Sequence, residues 1–444
     1  MKLSRKLMML LAVLLSFSLI AAACGDDDDD TSASSSDSDS SSEMAEEDGG
    51  DSLGDGSLGT VTVEPGEAIQ IRSLNAISGD VAFLGVPNQR GIEAAVADYG
   101  DIKGFEVTSG EGLDDLCSAE GGAAAAQQII ADEQVVGVIG TSCSGAATAA
   151  APLISDAGLV MISGSNTSPD LTSDLQGTAG PDYHVGYYRT AHNDLFQGAA
   201  MAEFVFNDLG MTTAAAIHDG DPYTNGLAKA FTDAFEALGG TVTGFTSVSK
   251  EDTDMTPVLT EVGAGEPEAL FFPIFQPAGD FVADQAPGVA GLENTQLLAA
   301  DGLLNTNYME LPQSIGMFFS GPDTRFGENL NESTGKTAAD VLAEYEAAHG
   351  EAPAAPFWGH SYDAAAMLLD AIDAASSVDD DGHLIIDRAG VREYLDGISG
   401  YSGLIGTINC DDFGDCGSQK ITVIDHDSED VAASMENVVF EYAP

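Results

Sequence analysis

Basic residues are scarce in this chain. Lys and Arg together number 14 against 73 Asp and Glu, a formal charge of −59 over 444 residues. Nucleic acid and anionic membrane surfaces are held mainly by Lys and Arg, so neither suits the body of this protein as a partner. Five cysteines and seven histidines form no CxxC pair and no His-rich cluster, which argues against zinc. No G-x-G-x-x-G follows the first strand, where Ser78-Gly79-Asp80 stands instead, and this argues against a dinucleotide site. So much like charge costs stability unless salt screens it, over about 8 Å at physiological ionic strength. A saline habitat is one expectation; plain solubility is the other.

What is present is ample for folding. At 44% hydrophobic the chain can bury a core, and its length suits two domains. Lys2, Arg5 and Lys6 precede an apolar run from Leu7 to Ile20, then Ala21-Ala22-Ala23-Cys24-Gly25. That order is a secretory signal over 1–23, with small residues before a cysteine. It resembles a lipoprotein leader in which Cys24 is lipidated and anchors the mature protein to the membrane from outside. From Gly25 to Gly59 the chain has thirteen acids and no base. Residues 24–65 are therefore expected to be a disordered acidic tether.

Cys117, Cys143, Cys410 and Cys416 remain. An even number in an exported chain suggests disulfides, and neighbourhood pairs 117 with 143 and 410 with 416. The second pair closes a local acidic loop; its carboxylate spacing matches no EF-hand pattern.

Along the body, short Val/Ile/Phe runs alternate with Ala-rich helical segments. Strands are expected at 68–74, 135–139, 159–162, 214–217, 241–248, 269–274, 296–300 and 317–320. Helices are expected at 91–99, 119–133, 146–157, 197–209, 225–238, 338–349 and 361–375. This beat predicts an α/β fold of doubly wound parallel sheets. Ligands in such sheets bind beyond the carboxyl ends of strands, where loops enter helices. The uncharged stretch Gly140-Thr141-Ser142-Cys143-Ser144-Gly145 is such a loop, and Ser163-Gly164-Ser165-Asn166-Thr167-Ser168 is the next. With no base nearby, an anionic group there is held by helix amino-terminal N–H groups and by the Ser144 hydroxyl. The same stretch comes near a G-x-S-x-G nucleophile elbow, but Ser144 occupies the place of the final glycine, so an enzyme is not expected.

Seven segments together carry a family resemblance: "NAISGDVAFLGVPNQRGIEAAVADY" (75–99), "DDLCSAEGGAAAAQQII" (114–130), "VVGVIGTSCSGAATAAAP" (135–152), "MISGSNTSPDLT" (161–172), "YYRTAHNDLFQGAAMAEFV" (187–205), "HDGDPYTNGLAKAF" (218–231) and "AADGLLN" (299–305). They resemble the branched-chain amino-acid-binding proteins of ABC importers, periplasmic binding proteins of type I, from residue 68 to the mid-420s. The resemblance implies two α/β lobes, 66–191 with 322–405 and 192–321 with 406–444, joined by three crossovers and closing on a ligand. The crossovers would lie near 190–194, 320–325 and 402–408. It implies a Cys117–Cys143 disulfide beside the ligand loop. It further implies that Ser144 and the backbone around Thr167 hold an α-carboxylate, with Asn166 in the same loop. The Ser165 carbonyl, the Thr167 hydroxyl and Asp301 would hold an α-ammonium; Asp301 replaces a longer glutamate. Tyr223 and Tyr362 match cleft aromatics, whereas Leu84 and Phe275 replace tyrosines and make the pocket more apolar. The implied function is capture of an amino acid, aliphatic or branched, for an ABC permease, by a monomer without cofactor or metal. The same fold bound to urea, a short amide or an aromatic acid, or serving as a sensor for a membrane receptor, is the alternative.

Overall fold

The structure, a computed structural model, describes residues 53–444. The signal segment, Cys24 and the tether up to residue 52 lie outside the described residues. The described residues form one compact unit.

Two sheets organise it. In lobe one, strands run in the order Val107–Thr108, Ile69–Asn75, Val135–Gly140, Val160–Ser163, Tyr187–Arg189, each pair parallel. All six residues of Val135–Gly140 are buried, as a strand covered on both faces requires. In lobe two the parallel order is Thr241–Ser247, Thr213–His218, Ala269–Phe271, Gln296–Ala299, Met317–Pro322. Strands Ile421–His426 and Val438–Tyr442 extend that sheet antiparallel. Hydrophobic periodicity placed most of the parallel strands within a residue or two, but it missed these last two.

The expected helical segment 91–99 lies within helix Ala82–Tyr99, which carries Pro87 inside it. Two glycines explain its seating. A Cβ on Gly85 would lie 2.0 Å from the Ala76 carbonyl oxygen, and one on Gly91 would lie 2.4 Å from that of Trp358. The helix thus presses backbone to backbone on a strand end and on helix Trp358–Ala374, whose alanine-rich surface is largely buried.

Two boundaries differ from the sequence expectation. Thr60–Val63 is a strand paired antiparallel with Leu384–Asp387, which pairs in turn with Ser376–Val378. Val61 and Val63 are buried, and the Gly56 amide donates to Asp387, so residues 53–65 belong to the folded body rather than to a tether. Alternation of two buried valines is too short a signal to stand out beside an acidic run. Likewise Gly406–Asn409 pairs with Ser399–Gly403, and Ile408 and Cys416 lie in the core of lobe one. The third crossover is therefore at 417–420, not 402–408, and residues 406–416 go with lobe one. There the Asp323 amide donates to the Lys420 carbonyl at 3.2 Å, and a Cβ on Gly417 would strike the Ala191 carbonyl at 2.0 Å. The three crossovers run side by side.

Candidate functional site

Helix Ser144–Asp156 begins at the carboxyl end of strand Val135–Gly140, with Cys143 at its cap position and no side chain capping it. Its first N–H groups are thus left for another acceptor. The sequence-predicted loop 165–168 lies alongside: the Ser168 amide donates to Ser144 Oγ at 3.3 Å. Ser165 Oγ donates to the Ser142 carbonyl at 3.0 Å and accepts from Asn88 Nδ2 at 3.0 Å. The Asn166 side chain is turned into lobe one, where its oxygen accepts from Thr141 at 3.2 Å and Tyr187 at 3.1 Å. The Asn166 amide donates to Ser163 Oγ at 2.9 Å and its carbonyl accepts from Arg189 at 3.4 Å, whereas its buried Nδ2 has no partner among the described residues. Thr167 Oγ1 is buried with no hydrogen-bond partner among the described residues.

Two staples fix this cradle. The Cys117–Cys143 disulfide is formed, as is Cys410–Cys416. Beside the first, buried Asp115 accepts from the Cys117 amide and from the Ser142 amide, each at 2.7 Å. Burial pushes its carboxyl up to about 7, against those two N–H groups. Sequence reading overlooked Asp115, since an aspartate next to Asp114 looks like an ordinary loop acid.

The opposite wall comes from lobe two. Asp301 follows strand Gln296–Ala299 and is 5% exposed. Its Oδ1 accepts from Gln197 Nε2 at 2.7 Å and from the Tyr223 hydroxyl at 3.1 Å. The Tyr223 hydroxyl accepts in turn from the Gly302 amide at 3.0 Å. Burial lifts Asp301 to about 6, while the two donors pull the other way. Tyr223 meets Phe275 at a ring separation of 5.2 Å. Both belong to one apolar cluster with Leu84, Phe83 and Ala76 of lobe one, Cys117, Ala300 and Phe357. Tyr223, Leu84, Phe275 and Asp301 are therefore brought together.

Tyr362 is not. Its hydroxyl donates to Asp98 at 2.9 Å and meets Thr334 at 2.8 Å, and the ring lies in the core of lobe one. The helix that carries it points this turn away from the other predicted residues. Phe357, five residues earlier, stands in the apolar cluster instead.

Helix Asp194–Glu203 supplies what sequence reading missed. Asp194 is fully buried, both carboxylate oxygens lack a partner among the described residues, and its amide donates to the Thr167 carbonyl at 2.9 Å. Burial raises its pKa well above the ordinary carboxylate value, and the Asp301 carboxylate adds to this. One turn on, Gln197 Nε2 also donates to the Ser320 carbonyl at 3.0 Å. That orients the Gln197 amide, so its oxygen accepts from His192 Nε2 at 2.6 Å. His192, held down to about 4 by burial, is neutral, and its Nδ1 keeps a free lone pair with no partner among the described residues. An aspartate in a first helical turn ordinarily reads as a partner for the helix dipole, so nothing in the sequence marked Asp194 as buried. The assembled site has donors at one pole, acceptors at the other and apolar side chains between.

Comparison with known proteins agrees with this architecture. A family model described as periplasmic binding protein matches residues 68–423. A Leu/Ile/Val-binding protein homolog of Brucella melitensis is 27% identical over 364 residues, covering 81% of this chain and 91% of that one. A crystallised leucine-binding protein of Thermotoga maritima is 25% identical with a TM-score of 0.71, covering 85% of this chain and 99% of that one. A solute-binding protein of R. palustris in complex with benzoate shares the fold at 16% identity and a TM-score of 0.65, covering 85% of this chain and 98% of that one. The family is one of extracytoplasmic solute binders rather than enzymes. This chain is a member of the periplasmic binding protein family, built as two α/β lobes.

Proposed function

We propose that the protein captures a single amino acid with an aliphatic side chain between its lobes and hands it to an ABC permease. One observation carries this reading. Two buried acids, Asp194 and Asp301, stand with no neutralising cation bonded to them among the described residues, next to the orphaned Thr167 hydroxyl. A buried carboxylate pair needs a positive charge or a proton. An α-ammonium supplies both charge and N–H donors. The α-carboxylate then meets the uncapped start of helix Ser144–Asp156, the Ser144 hydroxyl and the Thr167 amide. The side chain lies among Leu84, Phe275, Tyr223 and Phe357. Neutral urea or a simple amide leaves the acids without a countercharge, and an aromatic acid such as benzoate would satisfy only the carboxylate pole.

Calorimetric titration with L-leucine, L-isoleucine, L-valine, benzoate and urea tests this. The three amino acids are expected to bind and the last two not. Binding of benzoate or urea with no binding of any amino acid would overturn the assignment. Anchoring through Cys24 and action as a monomer complete the proposal, with 53–191 and 322–416 as lobe one and 192–321 and 417–444 as lobe two. Metabolic labelling with a fatty acid checks the anchor.

A further inference from the structure

Arg189 is fully buried at the end of lobe one's last strand, where the first crossover starts. Its Nη1 donates to the carbonyls of Ser168 at 2.7 Å and Asn166 at 3.4 Å, the residues on either side of Thr167. Its Nε and Nη2 grip Asp415 in a bidentate pair at 2.8 and 2.9 Å. Asp415 Oδ2 also accepts from Thr172 at 2.9 Å and from Asn193, the cap of the Asp194 helix, at 2.8 Å. One carboxylate thus holds the ligand loop through Arg189 and the first crossover through Asn193.

Asp415 is presented by the Cys410–Cys416 ring. The ring's backbone pairs with the same strand: the Arg189 amide donates to the Gly414 carbonyl at 2.9 Å, and the Cys416 amide donates to that of Arg189 at 3.0 Å. Gly414 has a φ of +78°, and a Cβ there would lie 2.1 Å from the Tyr187 carbonyl, so the ring can approach this closely only with glycine at 414. A buried ion pair with every arm hydrogen-bonded fixes geometry more than it adds stability. Asp411 is spent inside the ring, accepting from the amides of Phe413 and Asp415 at 2.8 and 2.9 Å.

We propose that Asp415, set by the Cys410–Cys416 ring, is a positioning residue for the ligand loop, acting through Arg189, so that loosening the ring lowers affinity for the ligand. The affinity part rests on the amino-acid reading above; the effect on the loop does not. The test compares wild type, Asp415→Asn and the double variant C410S/C416S, which leaves Cys117–Cys143 intact. Hydrogen exchange of peptides covering 165–172 reads the loop without any ligand, and calorimetry with L-leucine well below the melting temperature reads binding. Exchange is expected to accelerate at 165–172 and 189–193 but not in helix Ala82–Tyr99, with Kd rising about ten-fold. Unchanged exchange at 165–172 in the double variant, or acceleration spread evenly over lobe one, would overturn the proposal even if Asp415→Asn fails to fold. Localised acceleration with no binding of leucine, isoleucine or valine by wild type would uphold the positioning role and refute the amino-acid reading instead.

Discussion

Asp221 of lobe two stands against Gly145 in the first turn of a lobe-one helix, where an added Cβ would lie 2.6 Å from Asp221 Oδ2. The carboxylate cannot easily retreat. Its Oδ1 caps its own helix by accepting from the Tyr223 amide at 3.1 Å, and Lys250 Nζ holds Oδ2 at 3.0 Å. Two helix amino termini therefore converge on one carboxylate, each with its positive dipole end toward it.

Gly145→Ala should obstruct this approach of the lobes while leaving each lobe folded. L-leucine affinity is expected to fall about ten-fold, since binding is taxed by the lost closed population. Thermal unfolding without ligand should not move downward. Calorimetry and small-angle scattering with and without leucine check it; wild-type affinity together with normal compaction would refute the close contact.

Asp301→Ala removes the proposed ammonium partner, the carboxylate held by Gln197 and Tyr223. Loss of a buried charge partner should cost a bound amino acid on the order of 2–5 kcal/mol. The ligand-free protein should not be destabilised by as much, because ionising that acid in a dry site is itself unfavourable. Affinity equal to wild type would sink the ammonium assignment.

Affinity should depend on pH in a definite direction. Burial lifts Asp301 to about 6, above the ordinary carboxylate range. A raised carboxyl contributes stability below the unfolded value and loses it as pH climbs through the folded one. An ammonium, by contrast, wants the ionised form. Binding of L-leucine should weaken as pH falls through about 6, and Asp194, whose pKa burial and the Asp301 carboxylate raise well above the ordinary value, should extend the same trend to higher pH. His192, neutral down to about 4, adds no slope in that window. Titrations of wild type and Asp301→Asn at several pH values check this, and the variant should show a flatter profile.

Opening the Cys117–Cys143 ring, which spans a sequence separation of 26, should cost about 3 kcal/mol of stability in the chain-entropy view. Denaturant midpoints of C117S/C143S give the value. Asp115 still ties the amides of Cys117 and Ser142, so the variant should fold and retain weakened binding.

With 73 acids against 14 bases, the melting temperature should climb from low to molar NaCl as like charges are screened. A flat response would remove the saline-habitat expectation.

Sequence alone was enough for the alternation of strands and helices, the disulfide pairs and the two polar loops at strand ends. Each is local: burial on both faces writes continuous apolar runs, and cysteines close in sequence tend to be close in space. Ser144 and the loop that carries Thr167 were legible as strand-end positions, whereas Tyr223 and Asp301 were named only by the family resemblance. Asp194, Gln197, His192 and the Arg189–Asp415 pair were not legible, because their importance comes from burial between elements distant in the chain. The placing of Tyr362 failed for a related reason: a helix exposes a different neighbour on each turn, and which turn faces the cleft depends on how the helix packs. Residue types and their spacing determined the fold; only the tertiary arrangement decided which acids lost their water, and that loss sets the charge the cleft can accept.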